Sequence, residues 1–495
     1  MWINSNSLRI AVVAGAVLTL VACGSSSFSA SNAGDGGIGG ATGGGSGGSA
    51  GGGVSALGSG GLVSTSTGGG NGQCDPVTAA NGMTLHVNPV SGDDAVATGS
   101  GISGGVTKAA CTFRSITAAA AALSVANIQT MNIVVDVTSD ANLASGEVFP
   151  ITVPVNTKIA AAAGATVTVQ ASTSDAFRLS NDNSTIVGLV IDGQGSSANG
   201  VVVSAGSSAK PNVLSGVEVT GFAQSGVHAE SGFLTITGGT NVHANGSATG
   251  SGPGPAGLLA IGTAIVNIDG TGATSQKPTQ FAANTGNGIE VRGQAQVNVN
   301  GTSSQLTPGE GTVVIKSNSL AGIFVEQLLV ASGATGPTGM TMTGLVSTLN
   351  GGSGMQLFGG SGVKVRSSYI SKNSIHGVLI STDPGFVNGG SGANDGNALE
   401  RLDFGAASDL GHNVLQDAAN PNTLKGLCLE LTGGNGTGGL LKLEGNVFAN
   451  SGVTVDCSQI AGSLPASGDC AAQGPLGDSG RNPRNDFDVV QCTIP

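Results

Sequence analysis

Aromatic surface is nearly missing from this chain. Its single tryptophan is Trp2, its single tyrosine is Tyr369, and aromatic residues make up 3% of 495 positions. Long carbohydrate subsites are commonly built on Trp and Tyr faces, so extended stacking platforms of that kind are excluded. Charge is scarce too: Asp, Glu, Lys and Arg together are 9% of the chain, with 29 acidic against 17 basic residues. A net charge of −12 excludes the basic stripe that a phosphate backbone requires, so nucleic acid is not an expected partner. The same sign disfavours anionic polysaccharides. The apolar run from Ile10 to Val21 is too short to span a bilayer as a helix. Cysteine is missing from the long middle of the chain, between Cys111 and Cys428, and no C-x-x-C pair or neighbouring His gives metal-ligand spacing. Neither a metal nor a cofactor is expected.

What is abundant is glycine, at 87 residues, and part of it is ordered into a repeat. The phrase is Asn, three variable residues, Gly, then an aliphatic residue. It occurs as Asn284 with Gly288, Asn318 with Gly322, Asn350 with Gly354, Asn373 with Gly377, and Asn422 with Gly426, at intervals of 34, 32, 23 and 49 residues. The last interval is long enough for two turns of a repeat. Apolar residues Phe281, Ile315 and Ile370 stand three positions before the Asn in three copies, and alternation follows the Gly, as in Gly288-Ile-Glu-Val. Strand, turn and strand, repeated with no helical period between them, predict a stacked β-solenoid. In such a coil equivalent residues lie about 4.8 Å apart, so each Asn amide is expected to pair with the Asn above and below. The Gly is expected at a corner with positive φ, which other residues resist, and the alternating aliphatics are expected to fill a core shared between coils.

The chain begins with a segment that is processed rather than folded. Arg9 precedes the apolar run, and Leu20-Val21-Ala22-Cys23-Gly24 closes it. This end resembles the lipobox of bacterial lipoproteins, which implies that Cys23 is acylated and becomes the mature N-terminus. The lipid would then be the membrane anchor. Gly at position 24, where an inner-membrane retention signal has Asp, implies sorting to the outer membrane, facing the periplasm or the cell surface. Residues 1–22 are thus read as signal peptide and 23–72 as the acylated Cys with a flexible Gly/Ser tether, too poor in apolar residues to fold. Residues 73–130 are read as an N-terminal cap, 131–458 as the β-helix and 459–495 as a C-terminal cap. Six cysteines remain: Cys74, Cys111, Cys428, Cys457, Cys470 and Cys492. Six allow fifteen pairings, and their placement near the two ends of the folded part predicts disulfides that fasten a solenoid where a coil lacks one neighbour.

Four segments between residues 85 and 154 carry a family resemblance. They are Leu85-His-Val-Asn-Pro-Val-Ser-Gly-Asp-Asp94, Cys111-Thr-Phe-Arg-Ser-Ile-Thr-Ala-Ala-Ala120, Asn132-Ile-Val-Val-Asp-Val137 and Gly146-Glu-Val-Phe-Pro-Ile-Thr-Val-Pro154. The set resembles the opening of the bacterial family known as domain of unknown function 1565, a right-handed parallel β-helix of the pectin-lyase-like kind. The resemblance implies an all-β fold and no particular activity. Ser115 is placed to cap a short Ala-rich helix that would cover the apolar end of the first coil.

Many pectin-lyase-like proteins are lyases or hydrolases, and hydrolysis needs two carboxylates across the scissile bond. Glu290 and Glu326 are the candidates beside the repeat, at offsets of two and four after the Gly. Both are expected to be outward, solvated carboxylates. Asp383, Glu400, Asp403 and Asp409 are further acidic residues, and His228 and His376 are expected as exposed turn residues. The N-T-D, paired-Asp and G-H-G motifs of the hydrolases are missing: Gly411-His412-Asn413 breaks the last, and Arg481-Asn-Pro-Arg484 lacks the spacing of the lyase motif. Gly389 to Asp395 loosely resembles a calcium-binding nonapeptide but occurs once. A non-catalytic structural or binding lipoprotein, with a carbohydrate or protein ligand, is therefore the expected function. A carbohydrate-active enzyme, either a polysaccharide lyase or a glycoside hydrolase, is the alternative.

Overall fold

The computed structural model describes residues 83–94, 112–123, 131–137, 139–143, 146–196, 198–246, 255–302, 309–327, 339–358, 362–382, 402–406, 408–431, 441–443, 445–448, 460–463 and 485–486. Its strands form three parallel sheets of 14, 9 and 11 strands, here the first, second and third sheet. Successive strands visit the first, the second and the third sheet in turn. Asn212–Ser215, Glu218–Thr220 and Val227–Ala229 make one such circuit, and Phe233–Thr237, Asn241–His243 and Leu258–Ala260 make the next. Each strand pairs with the strand one circuit on, so the chain is a right-handed parallel β-helix, the hand that parallel crossovers take.

The core follows from the alternation along the strands. In the third sheet Ile289, Ile323, Met355, Val378 and Leu427 are stacked in register and point inward, and two residues on so do Val291, Val325, Leu357 and Ile380. All but Met355 are aliphatic and branched at Cβ or Cγ, and the inward set is closed to solvent. At roughly 1.5–3 kcal/mol for each large apolar side chain, the stack between coils is the main favourable contribution. Phe281, Ile315 and Ile370 share one inward column of the second sheet, as expected. Ser347 takes the remaining place in that column and is satisfied by donating to the Gly354 carbonyl at 2.8 Å.

One helix, Ile116–Leu123, covers the N-terminal end of this core and packs against strands Met83–Val87, Met131–Val135 and Ile151–Thr152. Ser115 caps it, its Oγ accepting from the Ala118 N–H at 3.1 Å. Glu147 does more than the sequence suggested. Its carboxylate accepts from the Ile116 and Thr117 N–H groups at 2.7 and 2.8 Å, satisfying two of the orphan donors of the first turn. Burial pushes this carboxyl up from its ordinary range, against the pull of those hydrogen bonds. Strands Ile460–Ser463 and Asn485–Asp486, in the segment read as a C-terminal cap, continue the third and first sheets.

The asparagine ladder forms as the spacing predicted. Asn284 Nδ2 donates to Asn318 Oδ1 at 2.9 Å, Asn318 to Asn350 at 3.0 Å, Asn350 to Asn373 at 3.0 Å and Asn373 to Asn422 at 3.2 Å. It starts one rung earlier, at Asn245, and ends on Gln416, which accepts from Asn422 at 2.6 Å. Because Asn373 and Asn422 are hydrogen-bonded to each other, the 49-residue interval is one coil carrying an insertion, not two coils. One other expectation is corrected here. Gly288, Gly322, Gly354, Gly377 and Gly426 do not take positive φ; the left-handed residue is the one before the Asn, namely Ala244, Ala283, Ser317, Leu349 and Lys372, with φ of 52° to 64°. The glycines are required for another reason. A Cβ on Gly288 would lie 2.6 Å from Asn318 Nδ2 and 2.7 Å from the Gly322 carbonyl oxygen, so Gly288, and likewise Gly322 and Gly354, is the space into which the next rung's amide and backbone fit, while Gly377 meets only backbone carbonyls of the next coil and of its own.

Candidate functional site

The repeat phrase places acidic side chains on the outer face of the third sheet. Strand Ile289–Gly293 pairs with Ile323–Gln327 so that Glu290 neighbours Phe324 and Arg292 neighbours Glu326. The expectation of solvated carboxylates fails for Glu290, which is fully buried. Its Oε2 accepts from Asn287 Nδ2 at 2.9 Å, and its Oε1 accepts from Arg292 Nε at 2.5 Å. The other end of the same guanidinium, Nη1, pairs with Glu326, and its plane lies over the Phe324 ring with 5.1 Å to the centroid. Glu290 and Glu326 are thus brought together with an arginine held between them.

This arrangement limits the chemistry. A glycosidase needs one carboxyl that gives up a proton to the leaving oxygen and another that acts at the anomeric carbon, both within reach of the sugar. Here Glu290 has both oxygens engaged and no solvent contact, while Arg292 offsets the charge of both acids. The group it forms is a locked ion pair that ties one coil to the next. Removing the cation leaves an uncompensated buried charge, so Arg292→Met is expected to destabilise the fold by roughly 2–4 kcal/mol, less than a fully buried pair because Arg292 is 34% exposed. The double variant Glu290→Gln/Arg292→Met should recover part of that loss in denaturant unfolding. Equal losses in the single and double variants would show that the pair is not what holds this face.

A second acidic group occupies the first sheet. Arg366, nearly buried, donates from Nη2 to Asp403 Oδ1 at 2.8 Å and to Asp409 Oδ2 at 2.9 Å, and Lys364 Nζ lies 2.6 Å from the same Asp409 oxygen. Hydrogen bonds from Arg366 and then Lys364 hold the Asp409 carboxyl at about 2. Again an arginine sits between the two acids. Sequence reasoning missed Arg292 and Arg366 because it searched for carboxylates. The available signal was alternation, which puts Arg292 on the face of Glu290 two residues on.

The remaining candidates do not gather. His228 is not an exposed turn residue: it lies on strand Val227–Ala229, and burial lowers its pKa. His376 is a half-buried turn residue whose Nδ1 accepts from the Lys425 N–H at 3.2 Å. Burial lowers it as well. Tyr369 is buried and donates to Asp417 Oδ2 at 2.7 Å; burial, and then that carboxylate, push its hydroxyl well above the usual range. Among the described residues no three His, Cys, Asp or Glu side chains come close enough to hold a metal ion. Asp383, Glu400, the Gly389 to Asp395 stretch, Arg481 to Arg484, Cys23, Cys74, Cys111, Cys457, Cys470 and Cys492 lie outside the described residues. Cys428 stands in strand Leu427–Leu431, in register with Leu379 and Ala461.

No family model and no curated protein matches the chain. Solved structures with a similar fold include the A-module of the Azotobacter vinelandii mannuronan C-5 epimerase AlgE4, at 13% identity and a TM-score of 0.43, covering 75% of this chain and 94% of that one. The A-module of the epimerase AlgE6 from the same organism follows at 16% identity and a TM-score of 0.37, over 70% and 91% of the two chains. The pectate lyase Pel9A gives 14% identity and a TM-score of 0.33, over 63% and 82%. Likeness of this degree says nothing of activity.

Proposed function

We propose that the protein is a non-catalytic envelope β-helix, anchored at the outer membrane by a lipid on Cys23 and held off it by the Gly/Ser tether, with a structural or binding role. Its opening resembles the family of domain of unknown function 1565, on the motifs between Leu85 and Pro154. One observation carries the non-catalytic part: at the two candidate acid pairs beside the repeat and the insertion among the described residues, Glu290 with Glu326 and Asp403 with Asp409, an arginine is hydrogen-bonded between them. Acids so neutralised cannot divide into a proton donor and a base or nucleophile, which is what glycosidic cleavage asks of a pair. The lipobox residues Leu20 to Cys23 support the anchor.

Two measurements test the reading. Neutral and acidic polysaccharides incubated with the purified protein are expected to yield neither new reducing ends nor unsaturated products. Release that disappears in Glu326→Gln, with the variant still folded, would replace the proposal by a carbohydrate-active enzyme using this coil face. Independently, Cys23→Ala should move the protein from the membrane to the soluble fraction and remove the acyl mass from its N-terminus. A variant that stays in the membrane with unchanged mature mass would end the lipoprotein reading.

A further inference from the structure

The three outer faces of the β-helix differ in charge and in openness. That of the third sheet carries Arg178, Glu230, Glu290, Arg292 and Glu326, with Val202 and Leu259 buried on it. That of the second carries Asp192, Glu218, His243 and Lys316, and Val314, Val346 and Tyr369 bury one another there. The first sheet is unlike both between strands Thr185–Val187 and Met340–Thr343. One outward column reads Thr185, Val213, Thr235, Asn267, Asn298 and Thr341, in register from strand to strand. The next, two residues on, reads Val187, Ser215, Thr237, Asp269, Asn300 and Thr343. All of these side chains reach solvent, Asn300 and Thr341 most fully.

Asp269 is the single charge in the two columns, and its carboxylate is turned into its own bend, accepting from the Thr271 N–H at 2.8 Å and hydroxyl at 2.7 Å. Charged residues resume only beyond the array, at Lys158 on one side and at Lys364 and Arg366 on the other. The result is a grid of hydroxyl, amide and methyl groups with rows about 4.8 Å apart and columns roughly 6.6 Å apart. It is also stiff. Thr and Val have little χ1 freedom, Asn298 is fixed by donating to Asn267 at 3.0 Å and accepting from the Thr341 N–H at 3.0 Å, and the backbone beneath is hydrogen-bonded to both neighbours.

We propose that this face binds ice, an uncharged and rigid lattice of hydrogen-bond donors and acceptors. In these two columns each alternative lacks its recognition chemistry, the half-buried Phe233 and Ile265 standing outward only in the column before them. A sugar chain asks for aromatic platforms, and a nucleic acid or charged mineral asks for a row of charges. A protein partner asks for the aromatic and Arg residues that interface cores concentrate. A lattice of water asks for none of these. It takes a neutral array, since stripping water from a charge against an uncharged solid is unfavourable. It also takes preorganisation, since many weak contacts add up only when no rotamer entropy is lost on forming them. Hydroxyls and amides supply the donors and acceptors, and methyls lie between them. The inference does not depend on whether the protein is catalytic.

The test is partition of the whole mature chain into ice grown slowly from dilute solution, with serum albumin as an excluded protein. Enrichment in the ice fraction is expected for the wild type. Thr235→Lys and Thr341→Lys place an ammonium in the array without touching the core, and each should lower enrichment by roughly tenfold or more. Gln280→Lys, on the outer face of the second sheet, should partition as wild type. Unchanged circular dichroism and melting exclude misfolding as the cause. Exclusion of the wild type at the albumin level, or enrichment of the Thr→Lys variants equal to wild type, overturns the proposal. So does sedimentation with an insoluble neutral polysaccharide in place of ice.

Discussion

A Gly322→Val chain is expected to lose more than about 3 kcal/mol of stability, and Gly322→Ala to lose most of that, although Gly322 has no left-handed φ. The cause is the next coil. A Cβ at this position would lie 2.3 Å from Ser347 Oγ, 2.6 Å from the Gly354 carbonyl oxygen and 2.7 Å from Asn350 Nδ2. Ser347 Oγ is the one of these that could rotate, at the expense of its hydrogen bond to the Gly354 carbonyl. The other two cannot yield, because that carbonyl accepts the Ile323 N–H at 3.0 Å and the amide is a rung of the ladder. Making room for one methyl therefore separates two coils along the whole contact. Gly309→Ala is the comparison: its Cβ meets nothing nearer than 4.0 Å, and its φ is ordinary. Thermal melts should place Gly309→Ala beside wild type and Gly322→Ala far below it. Coincident melts would show that the coils can part by the needed amount at little cost.

How much of this was legible in the sequence varies with whether the cause is local. The Asn phrase could be read because its function, pairing with its own image one coil away, needs the same residue at the same place in every rung. The reason for the Gly could not. Gly in a turn usually signals positive φ, and only the stacked coils show that the constraint is distance, with the left-handed role passed to Ala283, Ser317 or Leu349. Asn245 escaped notice because an insertion separates it from Gly257, the glycine of its own rung, so the four-residue spacing is lost. The same kind of insertion, between Thr382 and Leu402, made one coil look like two. Glu290 was visible as an acid but not as a buried one, because its burial depends on Asn287, Arg292 and the neighbouring coil together. The open Thr and Asn columns of the first sheet went unread for a related reason. Each strand contributes only two residues to them, and registers across insertions such as the one between Asn300 and Met340 cannot be counted from one chain.

The ladder itself sets the other large effect. Asn318→Ala is expected to cost roughly 3–5 kcal/mol, because the loss falls on groups that stay buried with nothing to replace the amide. Asn318 Oδ1 accepts from the Asn284 N–H at 3.1 Å and from Asn284 Nδ2 at 2.9 Å, and its Nδ2 donates to Asn350 Oδ1 and to the Phe281 carbonyl at 3.1 Å. Truncation leaves the Asn284 N–H and one Asn284 amide proton without an acceptor, at about 1–3 kcal/mol each, whereas Asn350 Oδ1 still accepts the Asn318 N–H at 3.2 Å. Asn298→Ala supplies the control. That amide also bridges its neighbours, donating to Asn267 at 3.0 Å and accepting from the Thr341 N–H at 3.0 Å, but on an open face where water takes over both partners, so its loss should stay near 1 kcal/mol. Urea unfolding of the three chains, compared at equal m-values so that the unfolded states match, gives the two differences directly. A cost for Asn318→Ala no greater than that for Asn298→Ala would mean that water enters the ladder when a rung is missing, and that the asparagines fix the register of the coils rather than their stability.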